Sequence, residues 1–271
     1  MLIGLFFFLI NSFVCNAALS VEIIVIGSET RPQFRYLIDK YVSNKIKVHF
    51  YMELNAGECT LCNMTDVHSG PYVAKHVTQK EYGPTWTERS KQWWCAQRRP
   101  IAALHSFLQH RMTMLPKLLF VMDDDTWLNM PKFYEHIDDI LRHKYNDTTD
   151  LYLGQVPHRR SFCMGGAGYY LSRSLILKMA EHLQKCLQLQ QGGSWCFLHS
   201  DWAIARCIYA HANVSCSHTQ GLVQQANKVT NKFIQSIVTY HQLPIQLMEQ
   251  HYNNNENAAR IKWNSTQLTA L

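Results

Sequence analysis

The chain has 271 residues, 47% of them hydrophobic and 17% charged, which excludes a disordered chain and allows a full core in one domain slightly above the usual size. Lys and Arg number 26 against 20 Asp and Glu, a formal net charge of +6. The basic residues are scattered rather than clustered, which argues against a nucleic-acid groove and is compatible with an anionic small substrate.

Residues 1–18 are apolar, interrupted only by Asn11, Ser12 and Asn16, and the first charged side chain is Glu22. Small residues near Cys15 to Ala18 fit a signal-peptidase site, so the segment is expected to be a cleaved signal peptide or an uncleaved signal anchor. Either places the body in the secretory lumen. Of the nine cysteines, Cys15 lies in this leader and eight follow it, an even number suited to disulfides in an oxidising compartment. Four sequons, at Asn63, Asn146, Asn213 and Asn264, agree with that compartment. Spacing suggests local bridges Cys207–Cys216 and Cys186–Cys196, with Cys95 tied to the Cys59/Cys62 loop. A zinc site at Cys59-Thr-Leu-Cys62 lacks a second ligand pair.

In chain order, Val21–Ile26 reads as a strand, Arg31–Val42 as a helix and Lys47–Met52 as a second strand. Such an opening starts many nucleotide-binding α/β domains. Residues 55–85 look irregular. Thr87–Gln109 has helical spacing with Pro100 as a kink or break, and Leu118–Met122 is a buried strand. Met130–Lys144 is a helix behind Pro131, and Leu151–Leu153 is a short strand. A glycine-rich turn at Phe162–Gly168 then leads into a helix over Ser172–Leu189. Asp201–Ala212 is another helix and Ile234–Tyr240 a late strand. From Glu249 the sequence turns polar, so a core domain over 19–248 and a peripheral tail over 249–271 are expected.

Two segments carry chemistry. The strand Leu118–Met122 ends in Asp123-Asp124-Asp125. Three adjacent anions repel one another, and at the end of a buried strand they require a compensating cation. Oxygen ligands there suit a hard divalent ion, Mn²⁺ or Mg²⁺, shared with substrate phosphates. The second segment, Gly165-Gly166-Ala167-Gly168, is neither a dinucleotide fingerprint nor a phosphate loop, but it lets backbone approach a ligand closely.

The strand ending in Asp-Asp-Asp, then Tyr152-Leu153-Gly154, then Gly-Gly-Ala-Gly-Tyr-Tyr-Leu-Ser-Arg, then Ser200-Asp201-Trp202-Ala203-Ile204 together resemble the Fringe-like β-1,3-glycosyltransferases, which include core-1 galactosyltransferase and O-fucose glucosyltransferase relatives. The resemblance implies an α/β protein of the GT-A type, a mixed central sheet flanked by helices in a single domain. It implies an inverting transfer of a hexose or N-acetylhexosamine from a UDP-sugar to a glycan or glycoprotein acceptor, with Mn²⁺ (or Mg²⁺), in the Golgi or endoplasmic reticulum lumen. Family members are often single-pass membrane proteins, which favours the anchor; secretion is the alternative.

By that resemblance Asp125 is the direct metal ligand, Asp124 holds the ribose or the ion, and Asp123 braces the turn. Asp201 takes the base role, which competes with its reading as an ordinary helix-start acid. Gly165, Gly166 and Ala167 form a wall against the sugars. Arg31 and Arg35 are the basic candidates for the nucleotide, with Arg98 and Arg99 as rivals. Where Fringe proteins carry a metal-binding histidine, Leu222-Val223-Gln224-Gln225-Ala226 has none, and His241 at the end of the late strand is the substitute candidate. Trp202, beside Asp201, is a candidate acceptor contact. Fringe proteins also carry two cysteines where Phe120 and Tyr170 stand here, so both halves of that bridge are missing together. The missing histidine and Ser200 keep a second reading open, a catalytically inactive carbohydrate- or protein-binding relative. A metal-dependent hydrolase is a third, opposed by the lack of a two-metal histidine pattern.

Overall fold

The structure is a computed structural model that describes residues 21–28, 31–53, 96–157, 160–192, 198–224 and 231–255. The leader, the Cys59/Cys62 loop with Cys95, Cys196 and two of the four sequons lie outside the described residues. Among the described residues no helix is long and apolar enough to cross a membrane.

A six-stranded mixed sheet forms the centre, in the order β2-β1-β3-β6-β5-β7. Its members are β1 (Val21–Ser28), β2 (Val48–Glu53), β3 (Leu118–Asp123), β5 (Tyr152–Gly154), β6 (Tyr169–Ser172) and β7 (Ser217–His218). A second, three-stranded sheet runs β4-β9-β8, from β4 (Thr126–Leu128), β8 (Leu222–Val223) and β9 (Thr239–His241). Both β2 and β3 lie parallel to β1, one on each side. The strand order therefore reverses at β1. In open α/β sheets a crevice forms at the carboxyl ends of strands at such a point, and ligands bind there.

The apolar runs of β1 and β3 are buried on both faces, as expected of strands covered by helices on each side. Alternation divides them: Val21, Ile23, Val25, Leu118, Phe120 and Met122 enter one core cluster, and Ile24, Ile26, Leu119 and Val121 the other. The first cluster is covered by α1 (Pro32–Ile38) and α3 (Met130–His143), which buries Phe133, Ile137 and Ile140 along one stripe. The second is covered by α2 (Arg99–Arg111), α4 (Arg173–Ala180), α5 (Leu183–Gly192) and α6 (Ser200–Ala212).

Several expectations need correction. Pro100 occupies the first turn of α2, where its missing N–H costs nothing; Ala96 is helical and a turn at 97–98 precedes α2, so the chain breaks just ahead of Pro100. A strand over Tyr169–Ser172, not expected, intervenes between the glycine turn and the helix that starts after its N-cap Ser172; its four buried residues pair with both β3 and β5. The predicted helix beyond it divides into α4 and α5. The first residues of the expected late strand, 234–236, belong to a helix, α7 (Asn231–Ser236), and pairing begins only at Thr239. The boundary at 248 falls inside a helix, α8, over residues 245–255. Its Met248 and Tyr252 are buried, and Tyr252 stacks on Tyr41 with ring centroids 4.9 Å apart. This stretch belongs to the core because it covers the α1 side of the sheet.

The disulfides also differ from the local pairing suggested by spacing. Cys163 pairs with Cys216, and Cys186 pairs with Cys207. The segment before β7 runs beside the one after β5, where Cys216 N–H donates to the Ser161 carbonyl, so Cys216 meets Cys163. Cys186 on α5 faces Cys207 on α6. Phe120 and Tyr170 stand opposite each other across the β3–β6 ladder, with ring centroids 4.6 Å apart. An aromatic pair fills the place where the resembling family carries two cysteines.

Candidate active site

The site lies where β1 and β3 end. Asp123 is the last residue of β3, Asp124 and Asp125 form a two-residue turn, and β4 begins at Thr126. The turn sets the Asp123 and Asp125 carboxylates on one side and directs Asp124 to the other, toward β1. Asp124 is fully buried against the end of β1. Its carboxylate accepts from Ser28 N–H at 3.3 Å, and a Cβ on Gly27 would lie 2.4 Å from its Oδ2.

Pairing between the small strands brings His241 to the same place. β4 and β9 run antiparallel with Thr126 opposite His241, which sets the imidazole beside Asp125. His241 Nε2 lies 3.1 Å from Asp125 Oδ1 and 3.6 Å from Asp123 Oδ2. Asp125 Oδ1 is buried and is faced by the His241 ring nitrogen rather than by a backbone donor. The three ligand atoms of Asp123, Asp125 and His241 lie within 4.8 Å of one another. Ligands held at about 2.1 Å on one octahedron are about 3–4 Å apart, so small adjustments would close them on a cation. Two carboxylates and an imidazole converging at this spacing fit a divalent ion such as Mn²⁺.

The metal assignment therefore changes in one respect. Asp123, read as a brace, stands with Asp125 and His241, whereas Asp124 is turned away toward β1 and Arg31. No local pattern picks Asp123: its place beside Asp125 follows from the turn between β3 and β4 and from the β4–β9 pairing that brings His241.

Arg31, just before α1, bridges the acids: one guanidinium nitrogen binds Asp124 Oδ1 and the other reaches Asp125 Oδ2 at 3.0 Å. Arg35 is not brought to the carboxylates; it is exposed one turn further on, with its guanidinium 5.2 Å from the centre of the Phe50 ring. Arg99, at the start of α2, is near enough for its charge to act on Asp124.

Electrostatics follows from this crowding. Burial raises Asp124 to about 6 despite Arg31. Desolvation and the neighbouring acids also raise Asp123, opposed by His241, although its side chain is 39% exposed. Burial would raise Asp125 as well, but His241 and Arg31 hold it below the usual carboxylate range. For His241, burial favours the neutral ring, but the surrounding Asp125, Asp123 and Asp201 charges outweigh it and raise its pKa.

The glycine turn packs against this group. Thr126 hydroxyl donates to the Gly166 carbonyl at 2.8 Å, and Thr239 hydroxyl donates to the Ala167 carbonyl. These bonds pin the turn to β4 and β9. A Cβ on Gly166 would meet the His241 ring at 2.5 Å, and one on Gly165 would meet Asp201 Oδ1 at 2.4 Å. The room left by the missing side chains is taken by the protein's own His241 and Asp201, rather than standing open as a bare wall.

Asp201 lies in the first turn of α6, whose N-cap is His199. Its Oδ1 accepts from the Ser200 hydroxyl at 3.2 Å, and its carboxylate is hydrogen-bonded to the Gly165 backbone. Its carboxylate is thus directed to the glycine turn, and Ser200, seen in sequence only as a lost acid, supports it. Burial raises Asp201 to about 6. Its neighbour Trp202 packs against Phe162 at 5.3 Å, with the Arg160 guanidinium 5.1 Å from its ring. These residues line an open cleft of about 700 Å³ that also includes Arg206 and Tyr209.

Human chondroitin sulfate glucuronyltransferase is 32% identical over 109 residues, covering 38% of this chain and 13% of that protein, so the matched region spans only a small part of the relative's length. Among solved structures, a glycosyltransferase involved in the glycosylation of the major capsid of PBCV-1 superposes with a TM-score of 0.50 at 11% identity. That match covers 85% of this chain and 98% of the other. The glycosyltransferase GlyE of Streptococcus pneumoniae TIGR4 gives a TM-score of 0.46 at 8% identity, over 91% of this chain and 63% of its own. The mixed sheet flanked by helices is a GT-A fold. The Fringe-like family profile matches residues 62–267, well over half of the sequence, and the chain belongs to the Fringe-like family.

Proposed function

We propose that this protein is an inverting β-1,3-glycosyltransferase that moves a sugar from a UDP-sugar to a glycan or glycoprotein acceptor in the secretory pathway. The observation that carries the reading is the convergence of Asp123, Asp125 and His241 at the β1/β3 switch point, with Asp201 held beside them by the glycine turn.

Asp123, Asp125 and His241 would hold Mn²⁺, which when bound supplies Lewis-acid stabilisation of a departing diphosphate. Arg31 neutralises Asp124 and Asp125 in the free protein, and its 38% exposed side chain can turn to a diphosphate oxygen instead. Asp124, buried at the end of β1, orients the ribose. Asp201 removes the acceptor hydroxyl proton. A carboxylate near 6 is still mostly ionised at neutral pH and is more basic than an ordinary aspartate, which suits a general base. Proton removal on one side of the anomeric carbon with diphosphate departure from the other inverts the configuration, giving a β-linkage from an α-linked donor. The cleft beside Trp202 offers aromatic faces and guanidinium groups to an acceptor glycan.

Two buried disulfides and exposed sequons at Asn146 and Asn213 support a lumenal location, Golgi or endoplasmic reticulum. The missing histidine at 222–226 and Ser200 motivate the alternative of an inactive binding domain; His241 beside Asp125, and the Ser200 hydroxyl bonded to Asp201, support the catalytic reading over it. UDP release from donor, with and without Mn²⁺, for wild type and Asp125→Ala, tests the proposal. Mn²⁺-dependent release by the wild type alone is expected; equal background release from both proteins would support the binder. The donor screen covers UDP-GlcNAc, UDP-galactose and UDP-glucose, and also UDP-glucuronate because one relative is a glucuronyltransferase.

A further inference from the structure

β8 lies parallel to β9 with Leu222 opposite Thr239 and Val223 opposite Tyr240. Continuing that register sets Gln224 beside His241. Two hydrogen bonds fix it there. Gln224 N–H donates to Gln155 Oε1 at 2.6 Å, and the side-chain Nε2 lies 2.8 Å from His241 Nδ1. The other end of the same amide, Gln224 Oε1, is buried with no hydrogen-bond partner.

That pairing is chemically incomplete. With Nε2 facing Nδ1, the ring must accept at Nδ1 and carry its proton on Nε2, the nitrogen aimed at Asp125 and Asp123. A proton there blocks the only ring lone pair that could reach a cation. A half-turn of the amide reverses every assignment. Oε1 then accepts from Nδ1–H, the orphaned oxygen gains a partner, and Nε2 turns a lone pair to the space it shares with Asp125 Oδ1 and Asp123 Oδ2, an arrangement that a cation between them makes favourable. Groups that donate or accept at the far nitrogen of a ligating histidine set its tautomer and ring orientation in this way.

We propose that Gln224 is a positioning residue that holds His241 in the Nδ1–H tautomer, so that Nε2 is the metal-binding nitrogen. This rests on the reading of Asp123, Asp125 and His241 as a cation site, and adds to it a specific partner that selects the ligating nitrogen. Replacement of Gln224 by leucine keeps the bulk and removes the acceptor, whereas Gln224→Glu keeps an acceptor oxygen.

Mn²⁺ alone is titrated calorimetrically into wild type, Gln224→Leu, Gln224→Glu and Asp125→Ala, each checked for folding by its thermal transition. Wild type is expected to bind, Gln224→Leu about 10–100-fold more weakly, and Gln224→Glu within about threefold of wild type, on the grounds that its carboxylate still accepts the Nδ1 proton. Leucine-variant affinity equal to wild type would overturn the proposal and leave the cation site standing. Absence of Mn²⁺ binding by wild type would overturn the cation site itself. Independently of metal, ¹⁵N spectra of the metal-free protein near pH 9, with His241 assigned by comparison with His241→Asn, report the neutral tautomer. Protonation at Nδ1 in wild type, shifting toward Nε2 in Gln224→Leu, is the expected result. An Nε2–H ring in wild type would refute the assignment even if the leucine variant had failed to fold.

Discussion

Asp201→Asn separates the catalytic cost of a group from its stability cost. The substitution keeps the shape and an oxygen that can accept from the Ser200 hydroxyl, and removes the charge. The native carboxyl titrates near 6 against an ordinary value of 3.8, chiefly because of burial. A raised acid favours the native state while protonated; that contribution is fully present below pH 3.8 and is lost as pH rises through 6. At about 1.4 kcal/mol per tenfold, ionising Asp201 costs up to about 3 kcal/mol at neutral pH. Partial exposure lowers that figure. Urea unfolding in chelator at a series of pH values should show the Asp201→Asn variant more stable than wild type by about 1–3 kcal/mol at pH 7, with the gap closing by pH 4. The same variant should lose glycosyl transfer while keeping Mn²⁺-dependent UDP binding. A variant that is less stable at pH 7, or a gap that does not depend on pH, would refute the electrostatic account of Asp201. Near-normal transfer would remove it from the mechanism.

Other perturbations divide the site. Gly165→Ala, whose Cβ intrudes on Asp201, should lower turnover with Mn²⁺ affinity retained, whereas Gly166→Ala, whose Cβ intrudes on His241, should weaken Mn²⁺ binding at least about tenfold; titration calorimetry and initial rates together check the pair. Arg31→Gln leaves buried Asp124 without its guanidinium partner, so its carboxyl rises further and stability falls by about 1–3 kcal/mol above pH 6, with the loss fading toward pH 4 in urea melts. Joint replacement of Cys163 and Cys216 by serine opens a separation of 53 residues, and loss of that cross-link should cost about 2–4 kcal/mol of unfolding free energy in denaturant titrations.

Much of the fold was readable where one period dominates. The apolar runs of β1 and β3 and the spaced Phe133, Ile137 and Ile140 of α3 leave little choice of element. Tyr169–Ser172 was missed because a four-residue buried strand after a glycine turn has no period of its own, and its state is decided by β3 and β5 on either side. The disulfides followed packing rather than sequence proximity: Cys163 meets Cys216 because strands adjacent in space are distant in the chain. In the site, the acidic triplet and Asp201 were legible as chemistry-bearing residues. Which aspartates face which way depended on the two-residue turn between β3 and β4, and the place of His241 depended on a β4–β9 pairing that no local pattern signals. Gln224 was visible only as a missing histidine, since its relation to His241 exists through the β8–β9 register.

The central claim is that Asp123, Asp125 and His241 gather a divalent cation on which nucleotide binding depends. Calorimetric titration of UDP into the folded, glycosylated protein, with Mn²⁺ and with chelator, tests it most directly. Saturable UDP binding in Mn²⁺, lost in chelator and in Asp125→Ala, is the predicted result. UDP affinity that is the same with Mn²⁺, with chelator and in the alanine variant would contradict the account.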